Sequence, residues 1–344
     1  MSLTVASTTA ASYASGWNAW LTYCEEYGIR QPLEPAEHQL IGFVAWCTMG
    51  GRHRIKSSKP LAFSTIKLYL HSIKHVHKQS LLPDPVTGAK ALELTMRGAK
   101  RMLAVNGPKR KPKIPVTISL LEGLKQYFNL DTHDDRVRWA VLVCGVFGLM
   151  RLGELLGPNS LAWSNVSKIS DEHFQLTLPS SKTDPYRLGV AINFFKTDSA
   201  VCPVAALANL QARWPKDLPH NGNLFMMSDR TVLKRKAFSV MLQTRIDQLE
   251  KIWKTGLSGQ RFSGHSLRRG GATSLWLRGV SDAMIQVLGR WQSDAYKRYI
   301  MQPLVSIRDA MQVLARCSTK DKEREIGVLT QVTSPFEPAW ATDD

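Results

Sequence analysis

The segment from Asn106 to Pro115 limits the fold more than any other part of the sequence. It reads Asn-Gly-Pro-Lys-Arg-Lys-Pro-Lys-Ile-Pro. Its prolines fix φ and lack a backbone N–H, so neither a regular helix nor a central strand can run through it. A chain of 344 residues is long enough for two domains, each with its own core. The sequence therefore predicts an N-terminal domain at 1–104, an extended linker at 105–115, a larger domain at 116–318 and a tail at 319–344.

Apolar residues recur at helical spacing in the N-terminal domain. Tyr13, Trp17 and Trp20 are three and four residues apart, which indicates one buried helical face rather than a surface for stacking bases. Ser64 is the expected N-cap of the third helix because its hydroxyl can accept a hydrogen bond from the first turn. The sequence predicts four helices, at 8–27, 35–50, 64–79 and 88–104.

Positive charge is concentrated around the linker. The chain has 45 Lys and Arg against 28 Asp and Glu, a net charge of +17, and residues 51–114 alone hold 15 basic and 2 acidic residues. This excess predicts a polyanionic partner, double-stranded DNA, gripped by the N-terminal domain and the linker. No apolar run approaches the roughly 18–20 residues of a membrane span, so a membrane partner is not expected. The candidate DNA-binding residues are Arg52, Arg54, Lys56, Lys67, Lys74, Lys78, Lys100, Arg101, Lys109, Arg110, Lys111 and Lys113.

Compartment and cofactors are constrained by what the sequence contains. The five cysteines are scattered singly, which favours a reducing compartment over a disulfide framework or a zinc site. No phosphate-binding loop or carboxylate cluster is present, so neither a cofactor nor a metal is expected. The basic run in the linker also resembles a nuclear-localisation signal, which predicts the nucleus in a eukaryotic host and the cytoplasm or nucleoid otherwise.

The C-terminal half contains residues suited to phosphodiester chemistry. The run Gly264-His-Ser-Leu-Arg-Arg-Gly-Gly271 is predicted to be helical, which puts His265 and Arg268 on one face. Trp291 supplies an indole N–H donor, and two tyrosines follow in Tyr296-Lys-Arg-Tyr299. A guanidinium matches two phosphate oxygens, and a phenol can attack a phosphodiester.

Two further pieces lie upstream. The apolar run Val141–Met150 predicts a buried helix, and it ends in Arg151-Leu-Gly-Glu154, where buried charges need partners. Residues 174–192 predict strand, turn and strand within a hairpin region at 161–197, with Lys182 in the polar centre. Further helices are expected from 201, with Pro203 in the first turn, and at 232–253. The expected fold is mainly α with a small β-hairpin or sheet (α+β).

The order and spacing of these pieces resemble the tyrosine recombinases, the family of phage integrases and chromosome-dimer resolvases. The form GRWQSDAYKRYI is most similar to the Crypton-type transposon recombinases of eukaryotes. The resemblance implies a two-domain DNA clamp, in which a helical core-binding domain precedes the catalytic domain. It also implies a homotetramer on two DNA sites and a 3′-phosphotyrosyl intermediate formed without metal or ATP. The catalytic set that it implies is Arg151, Glu154, Lys182, His265, Arg268, Trp291 and Tyr299.

The resemblance also implies a role for each of these residues. The two arginines and Trp291 bind the scissile phosphate, and Lys182 is the general acid for the leaving 5′ oxygen. His265 positions or deprotonates the nucleophile, and Glu154 orients its neighbours. Tyr299 is the expected nucleophile because its interval from Trp291 is near that of the family, one residue short of the commonest form. Tyr296 is the alternative, since both tyrosines are predicted on one helical face.

Two other functions are compatible with the same residues. One is a nicking and closing enzyme similar to the type IB topoisomerases, which uses the same chemistry on one duplex. The other is a DNA-binding protein derived from a transposon that keeps the fold without catalysis. The tail at 319–344 is expected either to dock on a neighbouring protomer or to be disordered.

Overall fold

The computed structural model describes residues 7–51, 60–107, 113–157, 161–179, 189–219, 221–254, 256–257 and 262–298. The chain divides into two compact units between residues 110 and 111. Residues 108–112 and 299–344 lie outside the described residues, so the bounds predicted for the linker and for the tail stay predictions.

The first unit is a bundle of four helices, as the sequence predicts. Its core contains Trp20, which is fully buried and packs edge-to-face on Phe43 with ring centroids 5.3 Å apart. Tyr23 is buried beside them, whereas Trp17 is half-buried at the edge of this core. The helices are α1 (Ser7–Glu26), α2 (Glu37–Thr48), α3 (Phe63–Gln79) and α4 (Lys90–Asn106).

The predicted N-cap of the third helix, Ser64, is wrong by two residues. The N-cap of α3 is Ala62, which has an extended backbone and no side-chain capping bond. Ser64 therefore lies in the first helical turn instead of capping it. Phe63 packs against the core of this unit, and this contact favours a helix that begins at Phe63. The N-cap position then falls on Ala62, although alanine is a poor capping residue.

The second unit is mainly helical around a small sheet. Its central helix, α6, has almost all of its residues buried, because other helices and the sheet surround it. Thr132 caps α6 and Ser281 caps α11 through their hydroxyl oxygens. The helices are α5 (Ile118–Lys125), α6 (His133–Phe147), α7 (Leu152–Leu155), α8 (Pro203–Ala212), α9 (Arg235–Trp253), α10 (Gly264–Leu277) and α11 (Asp282–Gly289).

Two helix bounds in this unit differ from the prediction. The apolar run expected to stay helical up to Met150 leaves the helix at Phe147, and a turn over residues 148–150 precedes Arg151. The helix expected at 232–253 begins only at Arg235, because Val232 forms an isolated antiparallel bridge with Met226. The helix with Pro203 in its first turn is confirmed.

The sheet has three antiparallel strands in chain order, β1 (Val166–Ser170), β2 (His173–Leu178) and β3 (Val190–Phe195). The predicted hairpin is β2–β3, and β1 is an additional strand within the predicted region. Phe174 lies opposite Phe194, and both are buried against the core. The alternation of buried and exposed residues in these strands follows from one face being covered.

The helix α10 packs closely on its neighbours through two glycines. A Cβ on Gly271 would overlap the carbonyl oxygen of Val146 in α6, and one on Gly270 would overlap the carbonyl oxygen of Val116. The backbones can approach this closely only because no side chain intervenes. This packing fixes the position of α10, and therefore of the His265 and Arg268 side chains, relative to the end of α6.

The described part of the chain contains neither a membrane-spanning helix nor a cluster of metal ligands. None of its helices is long and apolar enough to cross a bilayer. Among the same residues, no group of three or more His, Cys, Asp or Glu side chains is placed to hold a metal ion.

Candidate active site

Arg151 ends the turn between α6 and α7, and Glu154 lies in α7 itself. Arg151 precedes the first residue of α7, and the Glu154 carboxylate accepts a hydrogen bond from its backbone N–H at 2.8 Å. The second carboxylate oxygen pairs with Nη1 of Arg151 at 2.7 Å. The Glu154 side chain is only 6% exposed, whereas that of Arg151 is 23% exposed. Glu154 therefore holds both the backbone and the guanidinium of Arg151, and the guanidinium keeps access to solvent.

Arg290 is a second cation on the same carboxylate. Its Nη2 lies 3.1 Å from Oε2 of Glu154, and its side chain is 12% exposed. Burial favours the protonated form of Glu154, but the charge of Arg290 and the bonds from Arg151 outweigh it and hold the pKa of this carboxyl below its ordinary value. Glu154 is thus an anion shared by two guanidinium groups at neutral pH.

Arg268 is buried completely beneath the site. Its Nη1 donates to the carbonyl oxygen of Leu149 at 2.7 Å, and its Nη2 donates to the carbonyl oxygen of Gly289. The guanidinium carbon lies 4.1 Å from the centre of the Trp291 ring, which covers it in a cation–π contact. Arg268 and Trp291 are therefore adjacent, as predicted, and in this structure Arg268 binds backbone carbonyls.

His265 lies one helical turn before Arg268 on α10, and its side chain is exposed. Partial withdrawal from water and the charges of Lys113, Arg151 and Arg268 lower the pKa of this imidazole below its ordinary value. A protonated ring would add one more positive charge to a cationic surface. His265 is therefore neutral at neutral pH and can accept a proton.

Tyr296 is buried, and its hydroxyl is engaged in a hydrogen bond. Only 4% of it is exposed, its hydroxyl donates to Oδ2 of Asp282 at 3.0 Å, and its ring packs near Trp291. Burial and the Asp282 carboxylate raise the pKa of this phenol. It lies in a short 3-10 helix, Asp294–Arg298, instead of the expected α-helical face.

Several predicted residues cannot be placed. Lys182 belongs to the connection between β2 and β3, and residues 180–188 of this connection lie outside the described residues. Tyr299, near the C-terminal end of the chain, also lies outside them. The same holds for half of the predicted DNA-binding residues, namely Arg52, Arg54, Lys56, Lys109, Arg110 and Lys111.

The described DNA-binding candidates are mostly free cations on the surface. Lys67 and Lys78 on α3 and Lys100 and Arg101 on α4 are exposed and form no ion pair with another described residue. Lys74 differs, because its ammonium pairs with Asp84 at 2.6 Å and donates to Thr87. Lys113, in the second unit, is exposed, and its carbonyl oxygen accepts from Arg269.

Two features of the site were missed by the sequence reasoning. Arg290 stands next to Trp291 in the sequence, but nothing local indicates that it pairs with Glu154, which is 136 residues away. The second feature is a groove of about 640 Å³ lined by Leu156, Gly157 and residues 231–236. The basic start of α9, Lys234-Arg235-Lys236, was the available signal for it.

The comparisons with known proteins concern structure. No protein-family model matches the sequence, and the search of curated proteins found no match. A lambda integrase dimer bound to a COC′ core site is 16% identical over 87% of this chain and 90% of that chain, with a TM-score of 0.53. A Tn1549 transposon integrase with a circular intermediate DNA is 11% identical over 86% of this chain and 98% of that chain, with a TM-score of 0.52. The chain thus has the fold of the tyrosine recombinases, mainly helical with a small antiparallel sheet.

Proposed function

We propose that the protein is a DNA strand transferase that carries out site-specific recombination or integration through a 3′-phosphotyrosyl intermediate. The observation that carries this proposal is the meeting of two distant motifs in one network. Glu154 of α7 pairs with both Arg151 and Arg290. Arg268 of α10 donates to the carbonyl oxygen of Leu149, in the turn that precedes Arg151. A cluster of guanidinium groups suits a phosphate whose charge grows in the transition state.

Arg151 is the proposed direct phosphate ligand. Its guanidinium has one carboxylate partner and is the more exposed of the two that bind Glu154. Arg268 must exchange at least one carbonyl bond for a phosphate oxygen before it binds DNA directly. Until then its buried charge adds to the positive potential of the site. Trp291 covers this guanidinium and is the proposed third contact to the phosphate.

Tyr299 is the proposed nucleophile. Tyr296 is buried, and ionising it would leave two negative charges facing each other, its own phenolate and the Asp282 carboxylate. The hydrogen bond to Asp282 would also have to break before attack. Tyr299 remains as the second tyrosine of the motif, three residues further along the chain.

The proposed cleavage step transfers two protons. The Tyr299 oxygen attacks phosphorus while its proton passes to neutral His265, the phosphorus–O5′ bond breaks, and Lys182 protonates the leaving 5′ oxygen. The product is a 3′-phosphotyrosyl ester and a free 5′ hydroxyl. Rejoining reverses the step on another strand. One phosphoester replaces another, so no nucleotide energy source is required.

Double-stranded DNA is the proposed partner of the exposed cations on α3 and α4. If the protein contacts about 6–10 phosphates, its affinity for a duplex should fall roughly 10³–10⁵-fold between 50 and 200 mM salt. A titration of fluorescent duplex at several salt concentrations measures this slope. A flat response would contradict binding through the phosphate backbone.

The finer proposals concern assembly and origin. We propose a homotetramer on two DNA sites, a nuclear location in a eukaryotic host, and an origin among Crypton-type transposon recombinases, the last from the GRWQSDAYKRYI resemblance. The mass of the complex on saturating DNA tests the first. Four protomers with two duplexes favour a recombinase, and one protomer on one duplex favours a topoisomerase-like enzyme.

The reaction is tested by replacing a guanidinium of the site. Arg268→Ala and Arg151→Ala should abolish cleavage of a nicked duplex while leaving duplex binding nearly unchanged. Arg278→Ala is the matched control, since Arg278 directly follows α10, is exposed, and among the described residues its side chain donates one hydrogen bond, to the carbonyl oxygen of Ser274. Equal cleavage by all three variants would contradict the proposed catalytic site.

A further inference from the structure

Arg290 connects two parts of the site that are far apart in the sequence. Its Nη2 pairs with Oε2 of Glu154 at 3.1 Å, and Oε1 of the same carboxylate pairs with Arg151 at 2.7 Å. One buried carboxylate thus lies between the two guanidinium groups. The position of the Arg151 guanidinium depends on Glu154, and the position of Glu154 depends on Arg290.

The backbone of Arg290 adopts a conformation that its residue type disfavours. Arg290 follows the last turn of α11 with φ of 58° and ψ of 43°, in the left-handed region. This region is strained for a residue with a Cβ, whereas glycine adopts it freely. The side chain offsets this strain through its hydrogen bonds, to the carbonyl oxygen of Gly148 at 3.0 Å and to Glu154.

The same side chain also fixes the turn that leads into Arg151. Leu149, in the middle of that turn, has a φ of 46°. Its carbonyl oxygen accepts from Arg268 at 2.7 Å and from Nη2 of Arg290 at 3.4 Å. The Gly148 carbonyl of the same turn accepts from Nη1 of Arg290. Arg290 therefore contacts both the main chain before Arg151 and the carboxylate that holds its side chain.

We propose that Arg290 is a positioning residue, which acts through Glu154 and the 148–150 turn to hold the Arg151 guanidinium where it binds the scissile phosphate. This inference rests on the proposed function for its consequence in catalysis. Both guanidinium groups share the Glu154 carboxylate, but the Arg290 side chain is 12% exposed and that of Arg151 is 23% exposed, so Arg151 is the more accessible to DNA. Arg290 thus acts on the phosphate through Arg151 rather than by touching it.

The first test measures single-turnover cleavage at saturating nicked DNA, duplex affinity and thermal stability for four proteins. They are wild type, Arg290→Ala, Arg290→Lys and the control Arg278→Ala. Displacement of a binding group by about 1 Å costs on the order of 10²-fold in rate. We expect this loss for Arg290→Ala with little change in affinity, and a smaller loss for Arg290→Lys, which keeps the charge but not the two-pronged geometry. Arg278→Ala should cleave like wild type.

A positioning role acting through Glu154 also predicts non-additivity. In a Glu154→Gln background, Arg290→Ala should lower the cleavage rate less than it does in wild type, because the route through the carboxylate is already broken and only the contacts of Arg290 with the 148–150 turn remain. A purely structural role would instead lower stability and affinity and would add to the effect of Glu154→Gln. Full additivity would overturn the proposal. If Arg290→Ala fails to fold, Arg290→Lys takes its place in the same cycle.

A second measurement does not depend on activity. The ¹⁵N relaxation of the Arg151 Nε–H group reports how firmly its guanidinium is held. We expect an ordered group in wild type and Arg278→Ala, and a mobile one in Arg290→Ala. An unchanged Arg151 signal in Arg290→Ala overturns the proposal. An inactive wild type whose Arg151 loses order in Arg290→Ala would contradict the proposed function and keep the positioning role.

Discussion

Replacing Glu154 with alanine tests the network on which the site depends. The carboxylate accepts from the Arg151 amide, the Arg151 guanidinium and the Arg290 guanidinium at 2.8, 2.7 and 3.1 Å. Hydrogen bonds to a charged group contribute about 1.5–3 kcal/mol each to stability. The sum over these three bonds is an upper bound on the unfolding free energy lost in Glu154→Ala. After the substitution, water can hydrate the Arg151 guanidinium, and Arg290 keeps its hydrogen bond to the carbonyl oxygen of Gly148. The unfolding free energy should therefore fall by about 3 kcal/mol, which is at the low end for a broken buried ion pair.

That loss corresponds to a fall in melting temperature of roughly 6–12 °C for a unit of this size. Thermal and urea unfolding of the full chain at neutral pH measure it, following the transition of the second unit. The matched control is Glu172→Ala, which removes an exposed pair with Lys196 in that unit and should cost about 0–1 kcal/mol. Equal effects of the two substitutions would refute the inference that Glu154 is a buried anion shared by two cations.

Three further predictions concern ionisation and packing. Because the folded pKa of Glu154 is lowered, its ionisation stabilises the protein above the unfolded value of about 4.3. The unfolding free energy of wild type should exceed that of Glu154→Gln at neutral pH, and this difference should shrink as the pH falls through the folded pKa of Glu154. A difference that stays unchanged down to that pH would contradict the lowered pKa. The NMR titration midpoint of His265 should lie below the ordinary value and rise in Arg151→Ala, and an unchanged midpoint would contradict the charge effect. Gly271→Ala should destabilise by about 1–3 kcal/mol in urea because its Cβ overlaps Val146, whereas Gly98→Ala meets open space and should stabilise by about 0.5–1 kcal/mol.

The helices could be predicted well because their signals are local. The four helices of the first unit follow from apolar residues at helical spacing, and α8 has Pro203 in its first turn as predicted, although it begins there and not at residue 201. The start of α3 was missed because the packing of Phe63 prevails over the capping preference of Ser64. The strand β1 was missed because Val166–Ser170 is mostly exposed and lacks the apolar alternation of β2.

The site could be predicted only in part. The spacing of His265 and Arg268 indicates one helical face, and the structure places the Arg268 guanidinium against the Trp291 ring. Burial of Arg268 against carbonyl oxygens was not predictable, since those carbonyls belong to turns at Leu149 and Gly289. The pairing of Arg290 with Glu154 likewise arises from tertiary packing and leaves no trace in the local sequence.

The separation of the two tyrosines shows the same limit. The three-residue spacing of Tyr296 and Tyr299 puts both on one predicted helical face, and only the interval from Trp291, compared with that of the family, favours Tyr299. The hydrogen bond from Tyr296 to Asp282 and the burial of its ring supply a physical reason to favour the other tyrosine. Sequence order therefore predicts a segment that contains the proposed nucleophile, and the packing of Tyr296 favours Tyr299 within it.

Covalent trapping on DNA tests the central claim most directly. The probe is a nicked duplex library with a randomised core, incubated with wild type, Tyr299→Phe or Tyr296→Phe and then denatured in SDS. We expect a protein–DNA adduct with wild type and Tyr296→Phe and none with Tyr299→Phe. An adduct lost only in Tyr296→Phe would contradict the assigned nucleophile. Binding of the library without an adduct in any of the three proteins would contradict the proposed strand transfer.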